Sequence, residues 1–332
     1  MLPQFLTPEY FVVLSSVIVG LAVSFVIRTF KKYFEYIKMT LKTIIEQFPP
    51  LSVDELVTGI NNFPQYNIAM KKEFLAKLIK HHPLLYVDWG EGSSYYRARY
   101  MGNDASPIDH VSKILCPPKE IRSYGRIDSD ENEILYTASS KNTALNELKN
   151  YNNSFNYYTI ATFRIYNSIK VLPIGELSHT QVTGRGMLLG NQSQSINKLI
   201  NACNPDEVTR LLITDKFLSD SLMSDNYNIT SYVANCIFEK NSDIYVIAYP
   251  SKQYPGGINF AIKNKVIWDH LGINAVRYAQ IRHLACGYFE ERNTRHVKGI
   301  TQRGKLIWDE NHADDEYYTY PLEPLWTPGQ SI

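Results

Sequence analysis

Three residues in the stretch GRIDSDENEILYTASSKNTALNELKN (125–150) carry chemical options: Arg126, Tyr136 and Glu147. A guanidinium presents a planar fork of donors suited to paired anionic oxygens. A fixed carboxylate can stabilise positive charge as it develops, or orient a hydroxyl. A tyrosine offers a flat face with a polar tip. Two further stretches add the same kind of chemistry. YYRARY (95–100) puts Arg97 and Arg99 on one side of a strand and Ala98 on the other. IYVIAYPSKQYPGGINFAI (244–262) reads as a buried strand, a turn at Pro250–Ser251, a Gly–Gly break and a strand carrying Asn259. Taken singly, each has an ordinary explanation: arginines beside tyrosines form a surface ladder, Tyr136 fills a core, Glu147 lies on a helix face, and Ser251 satisfies a turn. Ser251 has no GxSxG setting and no recognisable base partner, which favours ligand positioning over a covalent role. GRGMLLG (184–190) lacks the lysine of a phosphate loop and the glycine spacing of a dinucleotide fingerprint, and reads as a loop.

The elements that must position these residues are short. From about Leu84, LLYVDW, RARY, EILYTA, NYYTIATFRIY, SIKVLPI, DIYVIAYP, GGINFAI and KVIWDHLGI are β-rich runs separated by Gly, Pro, Asn and Asp. Helical patterns are fewer, at about 142–149, 192–202, 205–220 and 230–239. The mixture predicts an α+β fold with a mixed or largely antiparallel sheet and flanking helices, rather than regular βαβ winding. Ser140 and Asn142 are the candidate caps of the helix that carries Glu147.

Composition narrows the function. The chain has 332 residues, a net charge of +1 and 44% hydrophobic residues, enough for one substantial core and an accessory segment. A near-neutral balance lacks the basic footprint of a nucleic-acid binder, and none is expected as a partner. The 24 tyrosines suit half-buried strands. Cys116, Cys203, Cys236 and Cys286 are far apart without a CxxC pair, which predicts reduced thiols in a cytosolic compartment. His81–His82 is the one histidine pair, and no spacing argues for a metal.

The N-terminal run FVVLSSVIVGLAVSFVI (11–27) is free of charge and close to the roughly 17–25 residues that span a bilayer. Arg28, Lys31, Lys32, Lys38 and Lys42 follow it. A cleaved signal peptide carries its positive charge before the apolar run. This order therefore predicts a single-pass anchor with the remaining chain in the cytoplasm. The expected location is the bacterial inner (cytoplasmic) membrane. The predicted organisation is an anchor with a basic juxtamembrane helix (1–48), a helical linker (49–84, broken by Pro64 and closed by Pro83), a catalytic domain (85–310) and an irregular tail (311–332).

Joined in order, RARY (97–100), CPP (116–118), GRID (125–128), LYTASSKNTALNEL (135–148) and AYPSKQYPGGINFAI (248–262) resemble the RES domain family. The resemblance covers roughly residues 84–270. It implies a compact α+β fold similar to ADP-ribosyltransferase toxins, with an NAD pocket between sheet layers. It implies an enzyme that consumes NAD as its substrate, as a phosphorylase or glycohydrolase, or alternatively an ADP-ribosyltransferase acting on a macromolecule. Many members are toxins of toxin–antitoxin pairs, so the resemblance also implies a growth-inhibiting or defence role and a cognate antitoxin protein as partner. A membrane-tethered module that binds a nucleotide without consuming it is the alternative from a different class. Carried over by motif, the functional positions fall on Arg126, Tyr136, Glu147 and Ser251, with Arg97 or Arg99 and Asn259 as further substrate contacts. In this assignment Arg126 grips the pyrophosphate, Tyr136 stacks and contacts the ribose, and Glu147 meets the charge developing on the ribose. Asp128 stands where the family usually carries Asn, and its carboxylate would repel an anionic ligand unless it points away.

Overall fold

The computed structural model describes residues 51–103, 106–116, 125–129, 132–151, 153–190, 192–309 and 326–328. The apolar run 11–27, its basic flank, Pro117–Pro118 and most of the C-terminal tail lie outside them. Among the described residues no helix is long and apolar enough to cross a membrane.

The chain enters through two capped helices, α1 (Val53–Asn62) and α2 (Ile68–His81), separated by a 3₁₀ turn at Phe63–Gln65 that contains Pro64. Ser52 and Glu55 form a reciprocal capping box at the start of α1, and Asn67 caps α2. The strands β1 (Val87–Trp89), β2 (Ser94–Gly102) and β3 (Ile134–Ala138) come next, then α3 (Lys141–Glu147), β4 (Asn156–Ile165) and β5 (Ile169–Pro173). Four helices follow in succession: α4 (Glu176–Thr183), α5 (Gln192–Asn201), α6 (Pro205–Leu222) and α7 (Tyr227–Lys240). The chain closes with β6 (Val246–Pro250), β7 (Ile258–Lys263), the short α8 (Ile267–His270), β8 (Leu271–His283), β9 (Phe289–Ile300) and β10 (Leu306–Trp308).

These strands form one ten-stranded sheet in the order β1-β5-β6-β7-β3-β2-β4-β8-β9-β10. Every pairing is antiparallel except β5 with β6. Parallel neighbours need a long crossover, and the four helices α4 to α7 supply it. The expected mixed, largely antiparallel α+β architecture is what the chain adopts. One prediction fails: KVIWDHLGI is not a strand throughout, because 264–270 form a 3₁₀ turn and α8 before β8 begins at Leu271. This segment carries the chain from β7, in one half of the sheet, to β8, in the other, and must turn to do so.

The junction between those halves is thinly paired. Neighbours elsewhere in the sheet share three to ten paired positions, whereas β3 and β2 share one, Tyr96 with Ala138. The sheet therefore splays there, between β1-β5-β6-β7-β3 and β2-β4-β8-β9-β10. One apolar cluster is shared by both halves and includes Tyr95, Leu135, Phe163, Val246, Phe260 and Val276. A second lies between the first half and the helices, where Ile134, Ile247 and Ala261 meet Leu218, Val233 and Ile237. Residues 49–84, set apart as a linker on sequence grounds, contribute Leu56, Leu75, Leu78 and Ile79 to this second cluster, each at most 2% exposed.

Candidate active site

The splay opens a cleft of about 450 Å³, within the range of small-molecule sites. Its walls come from β2 (Tyr96, Arg97, Ala98), the loop before β3 (Gly125, Arg126, Asp128), β3 itself (Ile134 to Ala138), the end of α3 (Glu147 to Lys149), Tyr227, Tyr249, Gln253 and Asn259. Strand alternation explains the choice on β3: Leu135 enters the shared cluster, while Tyr136 and Ala138 face the cleft side with their partners on β7.

Glu147 is the last residue of a seven-residue helix whose start is fixed by Ser140, with its Oγ accepting from the Thr143 N–H at 3.1 Å. The helix is anchored from its far side, since Asn146 donates to the Gly287 carbonyl at 3.1 Å. Two side chains hold the carboxylate. Ser251 Oγ donates to Oε1 at 2.6 Å and Asn259 Nδ2 donates to the same oxygen at 2.7 Å. Oε2 accepts no hydrogen bond from the described residues. Ser251 is itself held, because its Oγ accepts from the Gln253 and Tyr254 amides at 3.2 and 3.0 Å. The serine thus satisfies its turn and orients the glutamate at once. The loop 251–257 must pass α3 closely: a Cβ on Gly257 would lie 2.7 Å from the Thr143 side chain, which explains the second glycine of the GG pair.

The other wall is organised around Tyr136. Its hydroxyl accepts from the backbone amides of Ile127 (2.6 Å) and Asp128 (3.0 Å). Burial, and then the Asp128 carboxylate, push this hydroxyl well above the usual tyrosine value. A Cβ on Gly125 would come within 2.7 Å of the Tyr136 ring, so the loop can wrap the ring only with glycine there. Asp128 is 5% exposed, and its two oxygens accept from the Gly125 amide (2.8 Å) and the Ile134 amide (3.1 Å). Its carboxylate is directed to the backbone and closes the loop, which answers the repulsion expected from its position.

The arginines are likewise engaged. Arg126 donates through Nη1 to the Leu222 carbonyl (3.3 Å) and to the Ser224 carbonyl, and its Nη2 lies 4.0 Å from Asp225. Arg97 donates to the Tyr136 carbonyl at 2.8 Å, bridging the gap where β2 and β3 part, and to the Leu115 carbonyl at 3.5 Å. Its Nε is buried without a hydrogen-bond partner, and burial pulls the guanidinium below its usual value. Arg99 donates to the Lys113 carbonyl and does not line the cleft. Arg97 and Arg99 do share one side of β2, as their spacing predicts, and both meet the 111–116 segment.

The RES domain matches residues 94–282, more than half of the chain. The chain belongs to the RES domain family. This family is associated with NAD-related, toxin-like enzymes. No curated protein matches the chain. The sheet extends beyond the RES match on both edges, with β1 before it and β9 and β10 after it. The RES motifs converge on the cleft: Arg97, Arg126, Tyr136, Glu147 and Asn259 line it, Ser251 joins through Glu147, and Arg99 stays outside.

Tyr249 is a wall residue that the motifs alone do not single out. It pairs with Asn259 across β6 and β7, and burial, followed by the Glu147 charge, raises its hydroxyl above the usual value. Its place two residues before Ser251 puts it on the same side of an extended chain, which is the signal that could have identified it. Lys149, Tyr227 and Gln253 also line the cleft; they sit in connections whose path the sequence does not specify. The four cysteines are free thiols, and no group of three potential metal ligands occurs among the described residues.

Proposed function

We propose that the protein is an NAD-consuming enzyme with an ADP-ribosyltransferase-like arrangement, which cleaves the nicotinamide–ribose bond and passes the ADP-ribosyl group to phosphate or water. The observation that carries this reading is Glu147, fixed through one oxygen by Ser251 and Asn259 with the other unclaimed at the cleft. As the C1′–N bond breaks, its electron pair leaves with neutral nicotinamide and positive charge grows on the ribose, as in glycoside cleavage. A preorganised carboxylate oxygen stabilises that charge without reorganising. It can also accept a hydrogen bond from a ribose or acceptor hydroxyl. The acceptor oxygen then bonds to C1′ and its proton passes to solvent.

In this reading Arg126 and Tyr136 shape the wall against which the pyrophosphate and nicotinamide lie, and Arg97 holds the splay open. The RES membership supports a growth-inhibiting or defence role with a cognate antitoxin partner. The apolar run 11–27 supports anchorage in a bacterial inner membrane with the catalytic domain in the cytoplasm.

The test is to incubate the full chain with NAD, with and without inorganic phosphate, and follow nicotinamide, ADP-ribose and ADP-ribose 1-phosphate. Nicotinamide release well above a Glu147→Ala control is expected, and its absence would reject the reading. Label from NAD on a protein or nucleic acid would move the assignment to a macromolecular transferase. Calorimetric NAD binding without turnover would move it to a binding module.

A further inference from the structure

The turn between α6 and α7 places a carboxylate beside the cleft that the proposed reaction does not use. Asp225 has an 81% exposed side chain, yet three cationic side chains surround it. Lys252 Nζ meets Oδ1 and Oδ2 at 2.8 and 2.9 Å, and Arg126 Nη2 approaches Oδ1 at 4.0 Å. The hydrogen bond from Lys252, its charge, and then the charges of Arg126 and Lys149 hold the Asp225 carboxyl below its usual value. Arg126 and Lys149 line the cleft, and Lys252 directly follows Ser251. Such exposed pairs add little to stability, and Arg126 keeps its place through the Leu222 and Ser224 carbonyls without Asp225. What the carboxylate does is occupy a cluster of donors with the geometry of an anion subsite.

We propose that Asp225 is an internal stand-in for a ligand's diphosphate, occupying the Arg126–Lys252–Lys149 cluster at the cleft rim until an incoming diphosphate displaces it. Asp225 is then an affinity-setting residue: it lowers the occupancy of the cleft by diphosphate-bearing ligands and leaves neutral ones unaffected. The inference rests on the nucleotide reading of the cleft for its natural ligand, but its anion chemistry can be tested apart from it.

The experiment is calorimetric titration of the full-length protein and its Asp225→Asn variant with ADP, inorganic pyrophosphate and adenosine. Asp220→Asn, the same charge change on α6 but paired with Lys216 outside the cluster, is the control. Removing one opposing charge at contact distance should tighten ADP and pyrophosphate at least about 5-fold. Adenosine should not change, and Asp220→Asn should match the wild type. Unchanged or weaker affinity for both anions in Asp225→Asn, or an equal gain in Asp220→Asn, overturns the proposal. Tighter pyrophosphate with no ADP or NAD binding upholds the stand-in and rejects the nucleotide reading. NAD turnover with no response of either anion to Asp225→Asn does the reverse.

Discussion

On the α3 wall of the cleft, Glu147 takes both of its hydrogen bonds on Oε1 and leaves Oε2 unclaimed. On the wall built by residues 125–136, the polar groups are matched by the protein itself. Tyr136 receives two amides, Asp128 receives two more, and Arg126 reaches two carbonyls. One wall therefore holds a reactive group ready, and the other turns similar residue types into the frame that shapes the cavity. Substitutions on the first wall should act on turnover with the fold intact, and those on the second should act first on stability.

The largest effect is expected at Glu147. Glu147→Gln keeps an acceptor for Ser251 and Asn259 but removes the charge, and kcat for NAD cleavage should fall about 10³-fold. Thermal unfolding should shift by no more than a few degrees. On the framing wall, Tyr136→Phe strands the Ile127 and Asp128 amides, and urea unfolding should show a loss of about 2–3 kcal/mol. A variant that loses activity while keeping wild-type stability would erase the distinction between the walls.

Glu176 is a third carboxylate against which to compare them. It is 3% exposed, accepts from the Met187 amide through both oxygens, and is pushed up to about 7 by burial, partly offset by that amide and reinforced by Asp215. The folded state then keeps a proton that the unfolded chain loses near 4.5. Stability from this group is greatest below that value, declines as pH rises to about 7, and is flat beyond. Glu176→Gln should remove a decline on the order of 2 kcal/mol from the urea-derived pH profile. The kcat ratio of variant to wild type should stay near one across that range.

The smallest effect separates the two holders of Glu147. Asn259→Ala should lower kcat about 10-fold, since one of two bonds to Oε1 remains. Combined with Ser251→Ala, it should show an interaction energy of about 1 kcal/mol or more, because both act through the same oxygen. Strict additivity would mean that they do not work through Glu147.

Much of this arrangement was legible because local chemistry decided it. Ser140 as a cap, Asn204–Pro205–Glu207 at the start of α6 and the β-rich runs around Gly and Pro each carry their own signal. The α4 helix did not, because ELSHTQVT has no apolar residues at helical spacing and is placed by tertiary contacts. The strand over FEERNTRHVKGI is too polar to declare itself, and it forms by pairing with β8. At the site, residue types and order identified Arg126, Tyr136, Glu147, Ser251 and Asn259 as belonging together. They could not say that Tyr136 and Asp128 spend their polar atoms on the backbone, since that depends on where the loop folds back. The splay between β3 and β2 was hidden for the same reason: strand propensity does not reveal where neighbours stop pairing.

The central claim is that the unclaimed oxygen of Glu147 carries the chemistry. Its most direct test is single-turnover nicotinamide release from NAD by the full-length protein and by Glu147→Gln, each saturated with NAD and checked for folding. The account predicts release by the wild type and a rate constant about 10³-fold lower in the variant, with NAD affinity changed by less than about 5-fold. Equal release rates from the two proteins would contradict it.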